Sequence, residues 1–211
     1  MKRMRIMGLC LVAVFAVAAV FAGSAFAKAK VLTLKTAAGP LAAKAELRAE
    51  SSDLVFVTSS GNLECSSNIL TGEVGTNNAT KDKGTVTKES STGKEEEGLC
   101  KTTTALGPAS IVSSGFPWPI EYKNTGASSI KGSKKIAFTS TFPKAGGAKC
   151  TYEAAKVAST INLSGVVTQT TSNQVFKINK KVSNPACPSE GKLSGHFSLF
   201  SGTEAVEAEL H

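Results

Sequence analysis

The sequence predicts an all-β protein: an antiparallel β-sandwich or barrel-like fold, stapled by disulfides, with signs of two similar sub-modules. Three observations carry that expectation. Short segments rich in Val, Ile, Phe and Thr are punctuated by Gly, Asn, Pro and Ser every 8 to 15 residues, the pattern of many short antiparallel strands. Apolar and polar residues alternate over Thr168 to Ile178 and Ser194 to Phe200, and one-sided burial requires two packed sheets or one closed sheet. Ser and Thr supply 45 of the 211 residues while charged residues reach only 19%, a composition that suits strands facing water outside the cell.

The leading segment stands apart from the fold. Lys2, Arg3 and Arg5 precede an apolar run from Ile6 to Phe21, and Ser24-Ala25-Phe26-Ala27 ends in small residues. This is the pattern of a secretory signal peptide over residues 1–27, cleaved before Lys28. The competing reading, a retained membrane anchor, needs about 20 apolar residues, which Ile6 to Ala27 only just supplies. Cys10 lies too early in the run to mark a lipoprotein site, and there is no twin arginine. The expected mature chain, residues 28–211, then has 21 basic and 16 acidic side chains, a net charge of +5. Such mild, dispersed basicity favours solubility and weak attraction to anionic surfaces. It lacks the dense stripe of a nucleic-acid binder, so neither nucleic acid nor, after cleavage, membrane is an expected partner.

Four cysteines remain after cleavage: Cys65, Cys100, Cys150 and Cys187. An even number in an exported chain points to disulfides, and four cysteines permit three pairings. A weak internal similarity favours one of them. Val55 to Ser59 leads through Gly61 to Cys65, and Ala137 to Thr141 leads through Gly146-Gly147 to Cys150; 34 residues separate Cys65 from Cys100, and 36 separate Cys150 from Cys187. The simplest expectation is one domain with pseudo-repeat halves 28–125 and 126–211, bridged Cys65 to Cys100 and Cys150 to Cys187. No C-x-x-C pair or suitably spaced His suggests zinc, calcium-loop spacing is absent, and no cofactor is expected.

Candidate strands run in order Val31 to Lys35, Leu54 to Thr58, Leu63 to Ser66, Ile69 to Val74, Thr85 to Glu89, Ile111 to Ser114, Ile120 to Lys123, Ser129 to Lys131, Ile136 to Phe142, Lys149 to Ala154, Thr160 to Leu163, Val166 to Thr171, Val175 to Asn179 and Leu193 to Phe200. Leu41 to Glu50 has helix-favouring composition without a clean helical stripe, so a hairpin strand competes there. Gly75 to Gly84 and Ser90 to Gly98 are polar, carry Lys81-Asp82-Lys83 and Glu95-Glu96-Glu97, and are expected to be exposed loops.

The most distinctive local sequence is Phe116-Pro117-Trp118-Pro119, with the only Trp of the chain. Two prolines stiffen the backbone and remove two ladder donors, which predicts an edge or corner. Phe116 and Trp118 there are either a rigid platform for a sugar ring or proline-rich peptide, or a corner of the core, and a single large aromatic in a β-domain is usually buried. Lys131, Lys134 and Lys135, with Lys123, Lys177, Lys180 and Lys181, can form one basic patch for an anionic cell-surface polymer or acidic polysaccharide; the plainer reading is lysines guarding strand edges. Gly126 to Lys134 and Gly146 to Lys149 lack phosphate-loop spacing and read as turns.

No catalytic constellation emerges. Asp53 and Asp82 are the only aspartates, His196 and His211 the only histidines. His196 falls on the polar side of an alternating strand without a triad signature. Glu64, Glu73, Glu121 and Glu153 are available carboxylates, but nothing selects two of them for glycoside hydrolysis.

The stretches L-V-F-V-T-S-S-G-N-L-E-C-S at Leu54 to Ser66, G-F-P-W-P at Gly115 to Pro119, T-F-P-K-A-G-G-A-K-C-T-Y-E-A at Thr141 to Ala154 and N-Q-V-F-K-I-N-K-K at Asn173 to Lys181 resemble an uncharacterised family of exported actinobacterial proteins. The resemblance implies export and two-bridge construction, and carries over no activity, ligand or catalytic residue. The expected role is a secreted, non-catalytic surface or matrix protein. A cell-wall or polysaccharide binding module stands second and an exported hydrolase third.

Overall fold

The computed structural model describes residues 30–211, and of Ser133 and Lys134 the backbone alone. The expected signal peptide 1–27, with its cleavage point and Cys10, lies outside the described residues. In chain order the strands are β1 (Leu32–Thr36), β2 (Gly39–Pro40), β3 (Glu46–Ser51), β4 (Val55–Thr58), β5 (Gly61–Glu64), β6 (Ser67–Thr76), β7 (Lys81–Thr92), β8 (Lys101–Thr102) and β9 (Ser110–Ser114). They continue with β10 (Trp118–Lys123), β11 (Ala127–Phe142), β12 (Ala148–Ile161), β13 (Gly165–Val166), β14 (Thr168–Ile178), β15 (Glu190–Ser201), β16 (Glu204–Ala205) and β17 (Glu207–Leu210). Among the described residues the only helical turns are the 3-10 turns Glu96–Gly98 and Pro143–Ala145.

Eight of these strands close a barrel. Each of β3, β6, β7, β10, β11, β12, β14 and β15 pairs antiparallel with the next, and β15 returns to pair with β3. Closure leaves no edge in the ring, so of the two predicted architectures the barrel is the one adopted. Residues 28–125 supply the first four barrel strands and residues 126–211 the last four. The two halves therefore share one ring and one core.

The two ends of the barrel differ. At one end, the four-stranded sheet β13-β17-β1-β2 lies against the β6–β7 turn. Leu32 bridges Ala79, and the Asn77 side chain accepts from Leu34 N–H at 2.8 Å and donates to Leu34 C=O at 2.7 Å. At the other end the ring flares: β15 pairs with β4 over Gly191–Ser194, and β11 pairs with β9 over Ala137–Thr141. The β4–β5 hairpin and β9 thus extend the barrel wall on that side. Cys65, just after β5, is bonded to Cys100, just before β8, and Cys150 in β12 is bonded to Cys187 in the loop before β15.

Apolar side chains line the lumen. Phe56 reaches in from β4, and its ring meets Phe138, Tyr152 and Phe176 edge-on, with centroids 4.9, 4.8 and 6.2 Å away. The close fit requires glycine at position 191, where an added Cβ would lie 2.2 Å from Phe56 Cζ. Gly191→Ala is expected to lose roughly 1–3 kcal/mol by overpacking. Urea unfolding measures this, and an unchanged midpoint would show that the cluster yields freely.

Several local expectations are corrected. Gly75 to Gly84 and Ser90 to Gly98 are not loops throughout: β7 begins at Lys81 and ends at Thr92, with Asp82 only 1% exposed. The polar run disguises a strand whose outward positions Lys81, Lys83, Thr87 and Lys88 are exposed while Asp82, Gly84 and Val86 face the core. Ser129 to Lys131 and Ile136 to Phe142 belong to one strand, β11, interrupted by a bulge between Lys131 and Ile136. At Leu41 to Glu50, where the sequence leaves helix and hairpin strand both open, the strand is adopted: a turn leads into β3.

Candidate functional site

The flared end of the barrel encloses a cavity of about 100 Å³. Its walls come from barrel strands, including Leu70, Ile130, Ile136, Val157 and Phe176, and from the extension, including Phe56, Leu63 and Ile111. Leu54, Ile111 and Ser113 line it and are partly exposed, which marks the mouth. Eight strands is the size at which a barrel is either just filled by side chains or holds one small ligand. Here β4–β5 and β9 widen one end, and the lumen is left incompletely filled.

Trp118 lines this cavity from β10. Its ring is 4% exposed and stacks on Phe116, with centroids 4.1 Å apart and planes at 25°. The pair is therefore turned inward, away from any surface polymer. Trp118 Nε1–H is buried without an acceptor. A buried indole N–H usually finds one, so this donor is available to a cavity occupant.

Three polar side chains gather at the same end. Asn68 on β6 lies opposite Ser91 on β7, and Glu89 lies two residues before Ser91. Ser91 Oγ is within hydrogen-bonding distance of Asn68 Oδ1, at 2.8 Å, and of Glu89 Oε1. Asn68 Nδ2 donates to Cys65 C=O at 3.4 Å. Glu89 is in no ion pair among the described residues. Its orientation depends on a bulge: Thr71 pairs with Lys88 but Gly72 pairs with Val86, leaving Thr87 as the extra residue. The bulge inverts the strand's parity, sending Lys88 outward and Glu89 into the cavity wall. The sequence holds no readable signal for it.

Deeper in the lumen Gln169 is satisfied, accepting from Tyr122 Oη–H at 3.5 Å and donating to Ser159 Oγ at 2.7 Å. Burial pushes the Tyr122 hydroxyl above the usual tyrosine range and the Tyr152 hydroxyl up to about 12. Both stay protonated at any physiological pH.

The predicted lysines separate. The β11 bulge divides Lys131, which lines a shallow cleft with Lys83, Glu121 and Ser129, from Lys135, which lines a wider cleft with Lys180 and Lys181. Lys134's side chain lies outside the described set. Lys135 Nζ donates to Glu153 Oε2 at 2.6 Å. The Lys135 hydrogen bond is the main influence holding the Glu153 carboxyl below its usual range, against partial desolvation and with help from Asn179. Glu121 is pushed up by desolvation, but the bond from Lys81 and nearby lysine charges outweigh that and hold it low. A glycosidase acid needs its pKa raised; Glu121 and Glu153 are shifted the other way.

His196 has a partner that the sequence did not suggest. Its Nδ1 lies 2.7 Å from Asp53 Oδ2, and its backbone N–H donates to Asp53 Oδ1 at 2.9 Å. Desolvation raises the Asp53 carboxyl, but the His196 and Ser51 hydrogen bonds outweigh it and hold it below the usual range. Ser51 Oγ donates to Asp53 at 3.1 Å, so this serine is not the hydroxyl a triad would place on His196 Nε2. Among the described residues Nε2 has no hydrogen-bond partner, and the arrangement clamps the segment after β3 onto β15.

No protein-family model, curated protein or solved structure matches the chain. Among the described residues no three His, Cys, Asp or Glu side chains are grouped to hold a metal ion, and no helix is long and apolar enough to cross a membrane. Two disulfides place the folded chain in a non-cytoplasmic environment, where such bonds persist.

Proposed function

We propose that the mature chain is an exported, non-catalytic binding barrel that holds one small, largely apolar molecule in its flared end. The apolar cavity with a few convergent polar groups carries this reading, since that is the general make-up of small-ligand sites. Its size limits the occupant: a dry cavity of about 150 Å³ admits benzene, so about 100 Å³ takes something smaller than that ring, such as a chain of about four carbons, and a longer chain extends out through the mouth. The leader at residues 1–27 and the two disulfides favour action outside the cytoplasm. The exposed lysines and threonine of β7 are the reverse of a lipid-facing barrel wall.

Trp118 makes the reading easy to test, because the only tryptophan of the chain lines the cavity. Titration with 1-hexanol is expected to shift its emission saturably, and Ile136→Phe, which fills the space without adding a second indole, is expected to abolish the response. A linear, unsaturable response in the wild-type chain would remove the cavity as a binding site.

A second reading rests on Lys180 and Lys181, in the cleft they share with the Lys135–Glu153 ion pair, which suit an anionic cell-wall polymer or acidic polysaccharide. Co-sedimentation with isolated cell walls is expected to weaken as salt rises through about 0.15 M, where the screening length falls to about 8 Å. Absence of co-sedimentation even at low salt would eliminate this reading.

A further inference from the structure

The polar end of the cavity is short of donors. Ser91 has one hydroxyl proton and two acceptors in reach, Asn68 Oδ1 and Glu89 Oε1, so one of them is unserved at any instant. Ser91 Oγ, Glu89 and Asn68 together offer more lone pairs than the surrounding groups supply protons. Glu89 adds a carboxylate with no lysine or arginine partner among the described residues. A hydrocarbon occupant would leave these acceptors unpaired as water is displaced, and unpaired buried acceptors are costly. An anionic head would meet Glu89 with like charge. The complementary head is a hydrogen-bond donor carrying positive charge.

We infer that the cavity selects a short apolar amine, whose ammonium group is received by Glu89, Ser91 and Asn68 while its apolar body lies among Ile136, Phe176 and Trp118. The inference rests on the binding-barrel reading and adds the chemical class of the ligand. Trp118 Nε1–H, 4% exposed residue and unpartnered, is a separate sign that this space is built for an occupant. It offers one donor to an acceptor or π-face on the ligand body. Charge-assisted hydrogen bonds are about twice as strong as neutral ones, so discrimination by head group is expected to be large relative to any preference in the apolar body.

Three chain-matched probes test it: hexylamine, 1-hexanol and hexanoate, titrated at pH 7 into the mature protein and followed by Trp118 emission and calorimetry. Hexylamine is expected to bind at least about tenfold more tightly than either of the others, a margin set by one charge-assisted hydrogen bond. Glu89→Gln is expected to remove that margin, while an unchanged urea unfolding midpoint and hexanol binding that remains saturable report an intact fold and cavity. Hexanoate binding as well as hexylamine, or a margin that survives Glu89→Gln, would overturn the amine assignment. If hexanol binds and hexylamine binds no better, the assignment fails and the binding barrel stands. If none of the three binds, both fail together.

Discussion

Replacing Cys65 and Cys100 together by alanine is expected to destabilise the protein by about 3 to 4 kcal/mol, which corresponds to a fall in Tm of roughly 6–16 °C for a chain of this size. The bridge spans 35 positions, and the segment between its cysteines is β6 and β7, two adjacent barrel strands. Without the bridge the unfolded chain regains the freedom of that loop, and β5 and β8 lose their tether beside the cavity. Alanine avoids leaving a hydroxyl in sites that are 5% and 0% exposed. Removing Cys150 and Cys187, separated by 37 positions, is expected to cost a similar amount on loop length alone. The two bridges differ in access: Cys187 is partly exposed, while both sulfurs of the first pair are enclosed. Graded reduction under native conditions, trapped by alkylation and read by mass, is expected to open Cys150–Cys187 first. A thermal midpoint lowered by less than about 3 °C in the Cys65/Cys100 variant, on the same scaling, would refute the loop argument.

The second large effect concerns Asp82 and pH. Its Oδ1 accepts the Ala79 N–H at 3.1 Å, while Oδ2 is buried without a partner. Desolvation raises its carboxyl to about 6 from an ordinary 3.8, with the Ala79 bond pulling only weakly the other way. Below 3.8 the group is protonated in both states and contributes no pH dependence. Between about 3.8 and 6 the unfolded chain ionises first, so the folded state holds the extra proton and stability falls as pH rises. Above 6 the folded barrel carries a buried charge at a cost of about 2 to 3 kcal/mol. Tyr122 lies opposite Asp82 on β10 and stays neutral across this window, while Lys81 and Lys83 point outward. Asp82→Asn preserves an acceptor for Ala79 and is expected to raise stability at pH 7.5 by about 2 kcal/mol, with little change at pH 4, since it removes the ionisation penalty alone. Urea unfolding of both proteins at pH 4, 5.5 and 7.5 gives the comparison. An equal slope of stability against pH in the two would remove Asp82 as the cause.

The local wording of the sequence made much of the fold legible. Strands such as Val55–Thr58, Ser110–Ser114 and Leu32–Thr36 lie within two residues of where β-branched runs bounded by turn residues place them. The common interval between cysteines favoured one of three pairings, and the bridges in the fold are Cys65–Cys100 and Cys150–Cys187. Trp118 faces the core, the usual fate of a lone large aromatic. The candidate site was far less visible. Glu89 reads as one more polar residue in a lysine- and threonine-rich stretch, because strict alternation from Val86 would turn Lys88 inward; only the extra residue Thr87 reverses the two. Asp82 sits in a Lys-Asp-Lys run that composition assigns to a loop. The pairing of His196 with Asp53, 143 positions apart, has no local trace.

By itself, then, the sequence determined what its short-range chemistry controls: period-two burial, turns at glycine and asparagine, and a supply of cysteines for cross-linking. The tertiary structure decided what depends on register between distant strands. The return of β15 onto β3 closes the ring, and the bulges in β7 and β11 choose which charged residues face inward and which lysines stay together. The physical reason is that a side chain's face changes with every single-residue slip of register. That register is fixed by packing across the whole barrel rather than by the residues on either side.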